Sequence, residues 1–115
     1  MPFVSINTNV GVDADAAELL LSQLTQLIVD KLGKPKEYVQ VAINEKRQMQ
    51  FAGTSAPTAF VELRALGLSE ELAKPMAVDL SDLVANSLSI SPDRIFLNLL
   101  DVPRSRWGWN GSTFG

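Results

Sequence analysis

The chain has 115 residues and a mass of 12.5 kDa, the size of one compact domain, so a single domain over residues 1–115 is expected. Apolar residues make up 46% and charged residues 20%, which excludes a disordered chain, and a net charge of −3 offers no cationic field to nucleic acid or an anionic membrane. With no Cys and no His, disulfides, Cys/His zinc sites, thiol nucleophiles and histidine-based triads are all excluded, and proton transfer must use an amine, a carboxylate or the single Tyr38.

Pro2 to Asn7 (PFVSIN) reads as a first strand, closed by the turn-like Asn9-Val10-Gly11. No stretch reaches the roughly 18 apolar residues of a membrane span, and Met1 to Val12 lacks the basic start and apolar run of a secretory signal, so a cytoplasmic location is expected. Asp15 and Glu18 resemble a helix-start box, and Ala17, Leu20, Leu21, Leu24, Leu27 and Ile28 recur at helical spacing behind it. Gly33 supplies a left-handed cap, and Pro35 prevents continuation. Tyr38 to Ile43 (YVQVAI) predicts a second strand with Val39, Val41 and Ile43 on its buried side.

Asn44 to Pro57 reads as a long irregular connection with a short strand pairing inside it. Thr58 to Leu66 predicts a third strand, and Ser69 with Glu70 and Glu71 begins a second helix. That helix would bury Met76, Leu80, Leu83, Val84 and Ser87, with Pro75 marking a short first turn and a restart. Ile95 to Leu100 (IFLNLL) is a fourth strand, with Ile95, Leu97 and Leu99 opposite Phe96, Asn98 and Leu100. The tail WGWNGSTFG carries an Asn110-Gly111 hairpin signal.

The two halves are alike: Leu27, Ile28 and Leu32 before Pro35 match Leu83, Val84 and Leu88 before Pro92, at a spacing of 56 or 57 residues. The fold class is therefore α/β of the α+β kind, two β-α-β repeats forming a four-stranded sheet with both helices on one face. The other face, with Phe3, Phe96 and Leu100, would be bare in a monomer and argues for burial against another copy, as a dimer or a trimer.

Chemistry centres first on Pro2. Removal of Met1 would turn its nitrogen from an inert tertiary amide into a secondary amine, whose pKa of about 7.7 to 8.0 falls on desolvation or beside a cation, as a general base requires. A Met-Pro start with no chemistry is the plain alternative. Lys34 can hold a substrate carboxylate or simply sit as a cation beside helix C-terminal carbonyls. Asn98, an amide in an apolar run, needs partners if buried, either across the sheet or in a site. Tyr38 and Phe96 line a site or belong to the core. Trp107 and Trp109 form a pocket wall or pin the tail to a neighbouring subunit. Asp13 with Asp15, and Glu70 with Glu71, are explained by helix dipoles and assigned no site. Arg104, Arg106 and the Lys46-Arg47 pair are too sparse for a nucleic-acid face.

Taken together, Pro2, Asn7-Thr8-Asn9, Gly33-Lys34-Pro35, Tyr38, Ser91-Pro92-Asp93-Arg94, Asn98 and the ending from Gly108-Trp109-Asn110 to Ser112-Thr113-Phe114 resemble the macrophage migration inhibitory factor family of the tautomerase superfamily, over essentially the whole chain. The resemblance implies a homotrimer of four-stranded sheets around a central channel, with active sites at subunit interfaces. It implies that Pro2 is the catalytic base, that Lys34 binds the substrate carboxylate, that Leu66 offers a backbone N–H and that Asn98 reaches in from the adjacent subunit. The implied reaction is keto–enol tautomerisation of an aromatic 2-oxo acid such as phenylpyruvate, with dopachrome derivatives as further substrates and with no metal or organic cofactor.

Three departures bear on that expectation. The tyrosine frequent two positions before the site asparagine is Phe96 here, so its hydroxyl is missing. The Cys-Ala-Leu-Cys element of the animal cytokine is Thr58-Ala59-Phe60-Val61, which rules out thiol oxidoreductase chemistry there. Trp107 replaces a smaller aliphatic residue and should narrow the pocket mouth. The alternative function is a signalling or interaction protein with vestigial tautomerase activity, distinguished by receptor binding that survives in a pocket-dead variant.

Overall fold

A computed structural model describes residues 1–115. In chain order it holds β1 (Phe3–Thr8), α1 (Ala14–Leu32), β2 (Gln40–Asn44), β3 (Ala59–Ala65), α2 (Glu70–Leu88), β4 (Ile95–Asp101) and a small hairpin of β5 (Gly108–Trp109) and β6 (Ser112–Thr113). The four long strands lie in the order β2-β1-β3-β4. Within each half the strands are parallel, Val4 opposite Val41 and Val61 opposite Leu97, as a helical crossover demands. The halves meet where β1 and β3 run antiparallel, Val4 opposite Leu63.

The internal repeat is exact in the helices. Leu20, Leu24 and Ile28 of α1 are buried, and so are Met76, Leu80 and Val84, each 56 positions further on in α2. Both stripes pack on Val4, Ile6, Val61 and Leu63 from the two central strands. Both helices also end in a left-handed residue, Gly33 (φ 64°) and its counterpart Ser89 (φ 54°).

Several boundaries differ from those the sequence predicts. Asp13, not Asp15, caps α1, accepting the Ala16 N–H at 2.9 Å, and Asp15 lies in the first turn beside the positive end of the dipole. Tyr38 sits outside β2 in a 3₁₀ turn over Lys36–Tyr38, because Pro35 fixes the turn and its carbonyl accepts the Tyr38 N–H at 3.0 Å. Val41 and Ile43 are only half-buried, since β2 is an edge strand. α2 runs unbroken through Pro75: the carbonyl that loses its donor there belongs to exposed Glu71 and is left to water. Ser87 is exposed, and Leu88 instead completes the buried four-residue stepping.

The connection from β2 to β3 carries the expected short pairing, Phe51 with Thr54. One side chain holds most of it in place. The Arg94 guanidinium donates to the carbonyls of Pro57 (2.9 Å), Phe51 (3.2 Å), Thr54 (3.3 Å) and Ala56 (3.1 Å), and it lies 5.2 Å from the Phe51 ring centre. Asn9 closes the other side, accepting the Thr58 N–H at 2.9 Å and donating to the carbonyls of Ser55 and Ala56. At the tail, Asn110 (φ 52°) and Gly111 (φ 78°) form the two-residue turn joining β5 to β6.

Both helices cover one sheet face. The other presents Phe3, Phe60, Phe96 and Leu100 among Ser5, Glu62, Arg64 and Asn98, with Phe96 58% exposed. The chain's surface of 6846 Å² exceeds the roughly 6,200 Å² expected of a compact monomer of this mass. No helix is long and apolar enough to cross a membrane.

Candidate active site

The head of β1 opens the candidate site. Pro2 is buried there, and its carbonyl accepts the backbone N–H of Gln40 at 3.1 Å, which ties the start of β2 to it. The amino group of Met1 is held below its ordinary value of 8.0, first by burial and then by the ammonium of Lys34. Lys34 reaches this corner because Gly33 ends α1 in a left-handed turn, its N–H donating to the Val29 carbonyl at 3.1 Å. Lys34 thus stands just past the end of the first helix, and its charge acts on the amino group that precedes Pro2 at the head of the first strand.

Leu66 follows β3 into the turn at Gly67 (φ 70°). Its side chain is buried, and the hydrogen bonds outside the regular elements include none donated by its backbone N–H, so that donor is open at the same end of the sheet. The adjoining backbone is well fixed: Val102 N–H donates to the Ala65 carbonyl at 2.8 Å, and Leu68 N–H donates to Asp101 Oδ1 at 3.1 Å.

Asn98 and Phe96 are not brought to Pro2. β4 is two strands away from β1, about 10 Å across the sheet, and Asn98 pairs with Glu62, level with Ser5 and three residues in from Pro2, about 10 Å along it. Asn98 is also exposed, not buried in its apolar run, because it alternates onto the uncovered face. Phe96 lies deeper still, in contact with Phe51 at 4.7 Å between ring centres. Within one chain these two residues face away from the corner that Pro2 and Lys34 share.

The aromatic residues divide. Tyr38 packs edge-on against Trp109 (5.8 Å between centres), and Trp109 stacks on Phe114 (6.2 Å), so the 3₁₀ turn after Pro35 and the tail hairpin form one aromatic wall. Trp107 is half-buried and lines a cleft of about 290 Å³ with Phe3, Gln40, Arg64, Val102, Arg106 and Gly108. Neither Arg106 nor Arg64 lies in a motif that marks a site in the sequence, yet both line this cleft. The alternation of β3, which sets Arg64 beside Phe3, was the available signal. No group of three or more Asp or Glu side chains lies close enough together to hold a metal ion.

The arrangement provides a partly desolvated amino-terminal nitrogen under the influence of the Lys34 charge, a backbone donor with no partner after the third strand, and an aromatic wall formed by the 3₁₀ turn and the tail. Those parts suit abstraction of a proton from an acidic carbon in a small anionic molecule.

The family model described as macrophage migration inhibitory factor (MIF) matches residues 1–115. The chain is 39% identical to the macrophage migration inhibitory factor of Meriones unguiculatus and 38% identical to that of Rattus norvegicus, covering 99% of both chains in each case. Among solved structures it superposes on the macrophage migration inhibitory factor homologue from Prochlorococcus marinus with a TM-score of 0.92 at 35% identity, covering 98% of this chain and 99% of that one.

Proposed function

The chain belongs to the macrophage migration inhibitory factor family, and on that footing we propose that it is a keto–enol tautomerase of aromatic 2-oxo acids, an isomerase with phenylpyruvate as its model substrate. The observation that carries this reading is the setting of Pro2: buried at the head of β1, next to an amino group whose pKa is lowered by burial and by Lys34. Once Met1 is removed, the Pro2 nitrogen is the amino terminus in those surroundings. Desolvation and the Lys34 charge would disfavour its protonated form there, which favours the neutral, basic form that a general base needs.

Neutral Pro2 takes a proton from the CH₂ between the ring and the ketone. The electron pair of that C–H bond becomes the C=C bond, the carbonyl pair moves onto oxygen, and oxygen takes up a proton to give the enol. With phenylalanine at position 96, that proton comes from water or from the prolinium itself. Lys34 binds the carboxylate and offsets the charge that grows on the enolate, while the Leu66 N–H fixes the substrate's orientation. Tyr38, Trp107 and Trp109 bound the aromatic end.

A homotrimer is part of the proposal. Asn98 and Phe96 lie too far from the Pro2 of their own chain to serve it, whereas the uncovered sheet face that carries them would meet a second copy. The surface in excess of a compact monomer's supports the same reading. The test is Pro2→Gly in protein freed of Met1: phenylpyruvate turnover falls about 10²- to 10⁴-fold. A variant keeping most of the parent rate would overturn the assignment of the base.

A further inference from the structure

A cleft lined by the residue after Pro2, though by neither Pro2 nor Lys34, carries two positive charges of its own. Phe3, the residue after Pro2, forms one wall, and Gln40, whose N–H binds the Pro2 carbonyl, forms another. Arg64 enters across the sheet, directly opposite Phe3, and Arg106 enters from the tail beside Trp107. No carboxylate lines the cleft. Two of the other arginines are committed elsewhere: Arg104 donates to the Phe114 carbonyl at 3.1 Å and Arg94 to four loop carbonyls. Arg64 has one weak, exposed partner, Glu62 at 3.4 Å, which is the only ion pair in the chain, and Arg106 has none. Within the single chain, two guanidinium groups therefore line one cleft with most of their donors unused, Arg64 from the sheet face proposed to meet a second copy, in a protein whose net charge is negative.

Like charges converging on a cleft are unfavourable until an anion joins them, and the planar fork of arginine is matched to a carboxylate. The geometry points to a second anion subsite, formed by Arg64 and Arg106, that takes a carboxylate at the end of the substrate remote from its 2-oxo acid group. The preferred substrate is then a 2-oxo diacid, with phenylpyruvate occupying only the Lys34 half of the site. Gln40 supplies an amide at the rim, and Trp107 provides a flat wall for the stem between the two charges. This rests on the proposed role of Pro2 and Lys34 and extends it to substrate class.

The test compares 4-carboxyphenylpyruvate with phenylpyruvate on Met1-free protein, in the parent and in Arg64→Gln and Arg106→Gln variants. The diacid is expected to show a kcat/KM about tenfold higher than the monoacid, and each variant to erase most of that ratio. In parallel, calorimetry with the unreactive pair terephthalate and benzoate should show the diacid bound about tenfold more tightly, with the advantage falling as salt is raised. Equal kcat/KM and equal affinity for diacid and monoacid, or a ratio unmoved in both variants, would overturn the subsite. Absence of turnover with both keto acids would instead remove the base assignment, and the calorimetric pair would still decide the subsite. Inorganic phosphate added as competitor separates a site for any anion, which phosphate blocks for both benzoates alike, from one that reads the second carboxylate; the former result also counts against the proposal.

Discussion

Gln40 donates its backbone N–H to the carbonyl of Pro2 at 3.1 Å, so the first residue of β2 fixes the head of β1 through its carbonyl and leaves the nitrogen side of Pro2 uncommitted. A base needs that combination: a backbone held in place and an atom left free to titrate.

The pH profile follows from the surroundings of that nitrogen. Burial and Lys34 lower the pKa of the Met1 amino group below 8.0, the same influences are expected to act on the Pro2 nitrogen once Met1 is removed, and the proposed mechanism uses its neutral form. Turnover of phenylpyruvate should therefore rise with pH, with the midpoint of that rise below 8.0. Lys34→Ala should move this limb upward without reaching 8.0, because burial, the larger cause, persists. It should also raise KM about tenfold through loss of the carboxylate contact. A limb at or above 8.0 in the parent would contradict the account.

Subunit sharing has a direct genetic test. Asn98 lies two strands and about three residues from the Pro2 of its own chain, so Pro2→Gly and Asn98→Ala chains should complement. Each variant alone is expected to be about tenfold or more below the parent. Randomly mixed trimers contain sites that join the Pro2 of one variant to the Asn98 of the other, and should recover roughly a quarter of the parent activity. A mixture no more active than the average of its two components would mean that each chain completes its own site.

The two helix ends make an internal comparison. Gly33 and Ser89 occupy equivalent left-handed positions, φ 64° and 54°, and only glycine adopts that conformation without cost. Ser89→Gly should stabilise the protein by about 0.5 to 1 kcal/mol and Gly33→Ala destabilise it by about 1 kcal/mol, read from urea unfolding. Destabilisation by Ser89→Gly would show that the serine side chain contributes more than its backbone strain costs.

The architecture was legible because it rests on periodicity. Leu20, Leu24 and Ile28, repeated as Met76, Leu80 and Val84, dictate two equivalent helices, and the alternation of Ile95, Leu97 and Leu99 against Phe96, Asn98 and Leu100 dictates a sheet with one uncovered face. Boundaries were less legible where side chains compete for one cap, as Asp13 and Asp15 do, or where Pro75 removes a bond that water can replace. The Met-Pro start and the Gly33-Lys34-Pro35 stop were legible, each placing a charge-bearing group at an element's end, while the joint role proposed for Pro2 and Lys34 comes from the family resemblance. The Arg64 and Arg106 cleft was not legible, because those residues are 42 positions apart in sequence and meet only when the tail folds back over the end of the sheet. The exposure of Asn98 follows from strand alternation, since an apolar neighbourhood in sequence does not mean a buried one when alternate residues face opposite sides.

The account depends on an unblocked Pro2 nitrogen, and the most direct measurement is phenylpyruvate turnover in two preparations of known intact mass, one with Met1 removed from every chain and one with Met1 retained. The processed protein should be active and the Met1-bearing protein at least about a hundredfold slower, since its Pro2 nitrogen is an amide with no basic electron pair. Equal turnover in the two preparations would contradict it.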